Sequence, residues 1–145
     1  MLAWRDAMSV GHHEIDNAHK HFIKRINAFE KALASDGERV AIGLFLTGLY
    51  EEATINFGRE DKVQRECNYP FHEAHAREHA ALLATVEKLQ GRFAALGENG
   101  SHDPLLHEVS ALIKEWITIH IVQSDTRVKP YWLRKNNIFT KSSRG

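Results

Sequence analysis

The chain predicts an all-α protein, an antiparallel up-down-up-down four-helix bundle, and three observations carry that expectation. Apolar side chains recur at i, i+3, i+4 and i+7 over four long runs. No stretch alternates apolar and polar residues in the manner of a half-buried strand. Turn signals rich in Gly, Asp and Pro separate the runs by only a few residues, and short connections make neighbouring helices antiparallel.

Residues 1–15 form an irregular arm that includes Trp4. The first helix spans about 17–34, with Phe22, Ile23, Ile26, Phe29 and Leu33 on one stripe, and "SDG" at Ser35 to Gly37 ends it. The second spans 38–66 and carries Val40, Leu44, Leu49, Ala53, Phe57 and Val63 before "CNYP" breaks the pattern. Gly43 and Gly48 lower its helix propensity without interrupting the apolar pattern. Pro70 suits the first turn of the third helix, which carries Leu82, Leu83, Val86, Leu89 and Phe93 to the "GENGSHD" loop at 97–103. Asp103 caps the fourth, opened by Pro104 and running through Leu112, Ile113, Trp116 and Ile117 to about 125. In the tail, 126–145, "KPYWLRKNN" reads as a short helical turn that returns Tyr131 and Trp132 to the bundle. "KSSRG" reads as a disordered end, such as a cloning remnant.

Composition narrows the function classes. At 145 residues the chain is about one domain, 1–145, with no room for a second catalytic or regulatory one. Nineteen basic and nineteen acidic residues give zero formal charge, and the Lys and Arg are scattered, which argues against nucleic acid or an anionic membrane as partner. Cys67 stands alone, so there is no internal disulfide framework. The start lacks the apolar core of a signal peptide and no run reaches about 18 apolar residues, so a cytoplasmic protein is expected.

Ten histidines are the distinguishing feature, and most fall in three clusters. His72, His75 and His79 share one helical face, the same face that carries Leu82, Val86 and Leu89. A single inward histidine is ordinarily a satisfied core residue. Several packed with carboxylates are costly unless a metal or hydrogen bonds compensate. The other helices offer His19, Glu60, His120 and Asp125, a mixed nitrogen and oxygen set suited to iron, zinc or manganese. "HEAH" at 72–75 is one residue short of HExxH, and no glutamate precedes a histidine by three positions, so neither the zinc-protease nor the ferritin-like pattern is present. His120 and Asp125 lie about 140° apart on a regular helix of 3.6 residues per turn. Facing one site together requires a widened turn with i to i+5 bonding, or a loosened helix end, between them. Of the rest, His21 reads as solvated, His102 and His107 as surface groups, and His12 and His13 as a cap or lid. His72 lies one turn away from the site. Cys67 reads as a small semi-buried side chain.

The segments "SVGHHEIDNAHK", "NFGRED", "CNYPFHEAHAREH" and "WITIHIVQSD", in this order and spacing, resemble the hemerythrin family, particularly its single-domain bacterial members. The resemblance covers essentially the whole chain. It implies a bundle holding two non-haem irons with an oxo or hydroxo bridge, binding O2 reversibly at one iron. By the family pattern His75, His79 and His120 hold one iron, His19 belongs to the other, and Glu60 and Asp125 bridge both. Position 56 should supply the seventh ligand, and here it is Asn56, whose neutral amide is a poorer ligand than imidazole. Trp116 and Ile23 are candidate walls of an O2 pocket. The expected function is O2 storage, delivery or sensing by a binding protein rather than an enzyme. The alternative is an altered site with one metal or a labile second iron, acting as an oxidase- or peroxidase-like enzyme or as a redox or NO sensor. The expected partners are O2, NO or peroxide.

Overall fold

The structure is a computed structural model that describes residues 1–144, with side chains through Asn136. It is all-α, and no strand occurs among the described residues. Six α-helices follow in order: α1 (His13–Ser35), α2 (Glu38–Leu46), α3 (Leu49–Glu66), α4 (His72–Leu96), α5 (Asp103–Glu115) and α6 (Lys129–Arg144). A π-helical segment, Trp116–Ser124, and a short 3-10 turn, Asp125–Val128, continue α5 into α6. Four legs make the bundle: α1, α2 with α3, α4, and α5 with its π-helical continuation. No described helix is long and apolar enough to cross a membrane.

The expected second helix is two helices. Its break falls at Gly48, which takes φ 77°, a left-handed conformation that a glycine adopts without steric cost. The Arg25 guanidinium of α1 seals the break. It donates to the carbonyls of Leu44, Phe45 and Thr47 at 3.3, 3.3 and 2.9 Å, and its other nitrogens grip the Glu52 carboxylate. The carbonyls freed at the end of α2 thus find a cationic donor.

The arm is tied down more firmly than its sequence suggests. Asn27 donates to the Leu2 carbonyl at 2.8 Å and accepts from the Leu2 N–H at 2.9 Å. Asp6–Met8 forms one 3-10 turn, and α1 starts four residues earlier than the apolar stripe indicates. The Asp16 carboxylate explains the early start, accepting from Ser9 Oγ at 2.6 Å and the Val10 N–H at 2.9 Å. His12 occupies the N-cap position of α1 and accepts from the Ile15 N–H at 3.4 Å, and His13 is the first residue of α1 rather than part of the arm. On α5 the cap position belongs to His102 rather than Asp103, with Pro104 in the first turn.

Two apolar clusters hold the bundle. The larger gathers Phe22, Ile26, Phe45, Leu46, Val86, Leu105, Val109 and Ile121, among others. The smaller comprises Val10, Ile15, Val63, Cys67, Tyr69 and Val128, with Tyr131 and Trp132 packed against it. Fully burying a side chain of this size contributes about 1.5–3 kcal/mol. The return of Tyr131 and Trp132 is present, with Tyr131 against Tyr69 (ring centroids 5.2 Å) and Trp132 against His12 (5.0 Å), but on a helix rather than a single turn. α6 runs through Arg144, so residues 141–144 are helical in place of the expected disordered end. Gly145 and the side chains from 137 onward lie outside the described residues.

Candidate metal centre

Each leg of the bundle crosses from the larger apolar cluster to the smaller through one polar layer. On α1, His19 sits between Phe22 and Ile15; on α3, Glu60 sits between Phe57 and Val63. His75 and His79 lie between Tyr69 and Leu82, and His120 and Asp125 between Ile117 and Val128. All six are at least nine-tenths buried.

Within the layer, Glu60, His75, His79, His120 and Asp125 each offer one ligand atom, and these atoms lie within 4.8 Å of one another. Asp125 Oδ1 is 2.6 Å from His75 Nε2 and 3.2 Å from His120 Nε2, while its Oδ2 is 3.1 Å from His19 Nε2. Glu60 repeats the division, with Oε1 3.6 Å from His79 Nε2 and Oε2 3.9 Å from His19 Nε2. Each carboxylate therefore turns one oxygen to the three-histidine side and the other to His19.

The π-helical segment makes this possible. The Asp125 N–H bonds to the carbonyl of His120, five residues back, as the spacing of these two residues requires. Ser124 Oγ donates to Glu78 Oε1 at 2.8 Å and fastens the end of the segment to α4.

The layer's charges are arranged around its two carboxylates. Burial alone would depress His19, but Asp125 and Glu60 beside it raise its pKa to about 10. Burial likewise opposes the charged form of His75, and Asp125 overcomes it. His120 goes the other way, held down by burial. Burial would raise Asp125, yet His120, His19 and His75 keep it well below the usual carboxylate range.

The donor set fits a metal ion. Glu60 Oε1, His79 Nε2 and His120 Nε2 are buried, face the layer and have no hydrogen-bond partner, whereas buried polar atoms are ordinarily paired. Nitrogen and carboxylate donors without thiolate suit iron, zinc or manganese. Phe57 covers His79 face to face, ring centroids 3.7 Å apart.

The structure brings together His19, Glu60, His75, His79, His120 and Asp125 in one layer. Asn56 stands at its edge, half-buried, its Nδ2 donating to Glu60 Oε2 at 2.7 Å. Trp116 lines a cavity of about 280 Å3 beside His19 and Asn56. Ile23 does not line it: that side chain packs into the larger apolar cluster, and Phe22, Leu49, Ala53 and Phe57 form the walls instead. His102 corrects another expectation. It is 7 % exposed, against Phe93 with ring centroids 5.9 Å apart, because the cap position of α5 turns it under the bundle end. His21 and His107 are exposed as expected. His72 stays outside the layer, within 3.0 Å of Asp61.

The residue missed is Gln64, 2 % exposed, which hydrogen-bonds His75 Nδ1 and accepts from His72 Nδ1 at 3.2 Å. Its signal was present: Asn56, Glu60 and Gln64 follow at i, i+4 and i+8, one inward line on α3.

A four-helix bundle crossed by a buried layer of imidazoles and carboxylates, with facing atoms unpaired, defines a histidine–carboxylate metal-binding protein. The chain belongs to the hemerythrin family: the model described as the hemerythrin HHE cation binding domain matches residues 10–132. Hemerythrins bind non-haem iron, and the buried His, Glu and Asp layer is of the kind that such a metal takes. The chain is similar to the bacteriohemerythrin of Stenotrophomonas maltophilia, 29% identical over 125 residues that cover 86% of this chain and 77% of the relative. The bacteriohemerythrins of Pseudomonas paraeruginosa and Pseudomonas aeruginosa are each 27% identical over 124 residues, covering 86% of this chain and 76% of the relative. No solved structure matches the chain significantly.

Proposed function

We propose that this chain holds non-haem iron in its polar layer and binds O2 there, as a protein of oxygen storage, delivery or sensing rather than an enzyme. The observation that carries this reading is the buried convergence of Glu60, His75, His79, His120 and Asp125 within 4.8 Å. These five would hold one ion, and the outward oxygens of Glu60 and Asp125, with His19, would hold a second. Ferrous iron, held by these residues, would supply the electrons that make O2 a ligand here. The chain's own part is to fix the donors, exclude water and orient the rings. Phe57 and Trp116 wall the layer, and Gln64 holds His75 by its outer nitrogen.

Elemental analysis with aerobic and anaerobic absorption spectra tests the proposal. The expected result is bound iron and a charge-transfer band that appears in air and fades on deoxygenation, with both lost in His79→Ala. A chain from iron-replete cells that holds no iron and shows no such band would overturn it.

One observation favours a variant of this reading. Asn56 Nδ2 donates to Glu60 Oε2, the oxygen turned to His19, so an amide donor occupies the position a second ion would use. On this variant the ion on the His19 side is absent or labile, and the chemistry shifts from reversible carriage toward oxidase- or peroxidase-like reaction or redox sensing. About one iron per chain, rising to about two in Asn56→His, is then expected. Equal iron content in both would remove the variant.

A further inference from the structure

The cavity beside His19 and Asn56 has more room than a diatomic molecule needs. At about 280 Å3 it lies near the lower edge of small-molecule pockets, which run from about 300 to 1,000 Å3. Its walls are aromatic, with Phe22 and Trp116 stacked at 4.8 Å between ring centroids and Phe57 5.7 Å from Trp116. Leu49 and Ala53 complete the apolar lining.

The polar groups around this space are unevenly engaged. Arg59 at the cavity lies 3.7 Å from Glu14, and Glu52 is held by Arg25, so both of these mouth charges already have a partner. His19 at the inner end has its charge matched by Asp125 and Glu60. An ionised ligand would therefore lose its hydration there and gain no unpaired counter-charge from Arg59, Glu52 or His19, which is costly. The Asn56 amide is different. Its Nδ2 is committed to Glu60, but its Oδ1 is buried with no hydrogen-bond partner, an acceptor left open. His19 Nδ1, on the same lining, is buried without a partner as well. Apolar stacking surfaces, paired charges and two unmet groups, an amide acceptor and an imidazole nitrogen, together specify the chemistry of an occupant, and a hydroxyl can meet both.

We propose that this cavity binds a small neutral aromatic molecule carrying one hydrogen-bond donor, of the phenol class. The ring packs against Phe22, Phe57 and Trp116, and the donor satisfies Asn56 Oδ1. The site rests on the cavity and on the Asn56 amide as it stands here, donating to Glu60 with its Oδ1 left open.

Calorimetric titration of the purified full chain with phenol, alongside benzene and benzoate, tests the assignment. The expected result is saturable binding of about one phenol per chain, with benzoate and benzene each at least tenfold weaker. Two substitutions fill the space from different helices, Ala53→Leu on α3 and Ala18→Leu on α1. At least one should keep the helical signal of the parent and lose phenol affinity tenfold or more. Visible absorption followed in the same titration separates cavity binding from coordination. No saturable binding, undiminished affinity in the filled variants, benzoate as tight as phenol, or a new phenolate-to-metal band accompanying saturation would each overturn the proposal. Failure here leaves the iron content and the oxygen-dependent band untouched, so the two readings fail separately.

Discussion

Gln64 illustrates how much a single amide settles when it is buried. Its amide meets His75 Nδ1, while His75 Nε2 faces Asp125 Oδ1 at 2.6 Å. With an ion on Nε2 the hydrogen must lie on Nδ1, and the same amide can accept it. Gln64→Leu keeps the volume and removes the partner. Metal affinity should fall about 10–100-fold, the usual effect of losing such an orienting group. Competition with a coloured chelator measures it, and unchanged affinity would mean that other contacts suffice to hold His75. Cys67 allows a second prediction at this scale. Burial pushes its thiol above the ordinary range, since a thiolate loses hydration beside Val63 and Tyr69. The neutral form therefore persists to higher pH than in the unfolded chain, and iodoacetamide should alkylate it slowly in the native protein. The rate should rise at a pH above that found for the same cysteine in urea, and coincident profiles would contradict the burial argument. At this scale the six layer residues were legible because charged and imidazole groups on apolar stripes are conspicuous. Gln64 was not, because a neutral amide on a helix looks like surface.

Helices were legible where one stripe ran unbroken, as in α1 and α4. The break at Gly48 was not, because the apolar pattern continues across it from Leu44 to Leu49. The cause lies elsewhere in the chain, in an arginine on another helix that receives the freed carbonyls. Gly48→Ala isolates the backbone contribution. A Cβ there meets nothing nearer than Arg25 Nη2 at 3.9 Å, so the cost is conformational, about 1–2 kcal/mol for an L-residue in the left-handed region. Urea denaturation should show that loss with the spectrum of the native state unchanged, and a neutral result would mean that the chain straightens through the junction. The π-helical segment is the opposite case. It was readable from one interval, the five residues between His120 and Asp125, because two side chains required at one site cannot tolerate a regular helix between them.

For the whole molecule, the balance of nineteen basic and nineteen acidic residues hides a strong segregation. The charges outside the polar layer are mostly solvated, while those in it sit among apolar walls and have chiefly one another for company. The layer also divides the apolar interior into two unequal parts. The smaller contains six buried residues and is closed by Tyr131 and Trp132 at the start of α6. This end is the thinner cover of the layer. The layer is thickly covered on its larger side by Phe45, Leu46 and their neighbours and thinly at this end, so passage past α6 is expected to contribute to the pace of entry and exit alongside the cavity beside His19 and Asn56. Trp132→Ala should then accelerate both iron uptake and chelator-driven release severalfold by stopped-flow absorbance while leaving their ratio, the equilibrium affinity, nearly constant. Uptake at the parent rate would place the route elsewhere. The tail helix, on which none of the six layer residues lies, is thus expected to bear on how quickly the protein charges and discharges rather than on how tightly it holds.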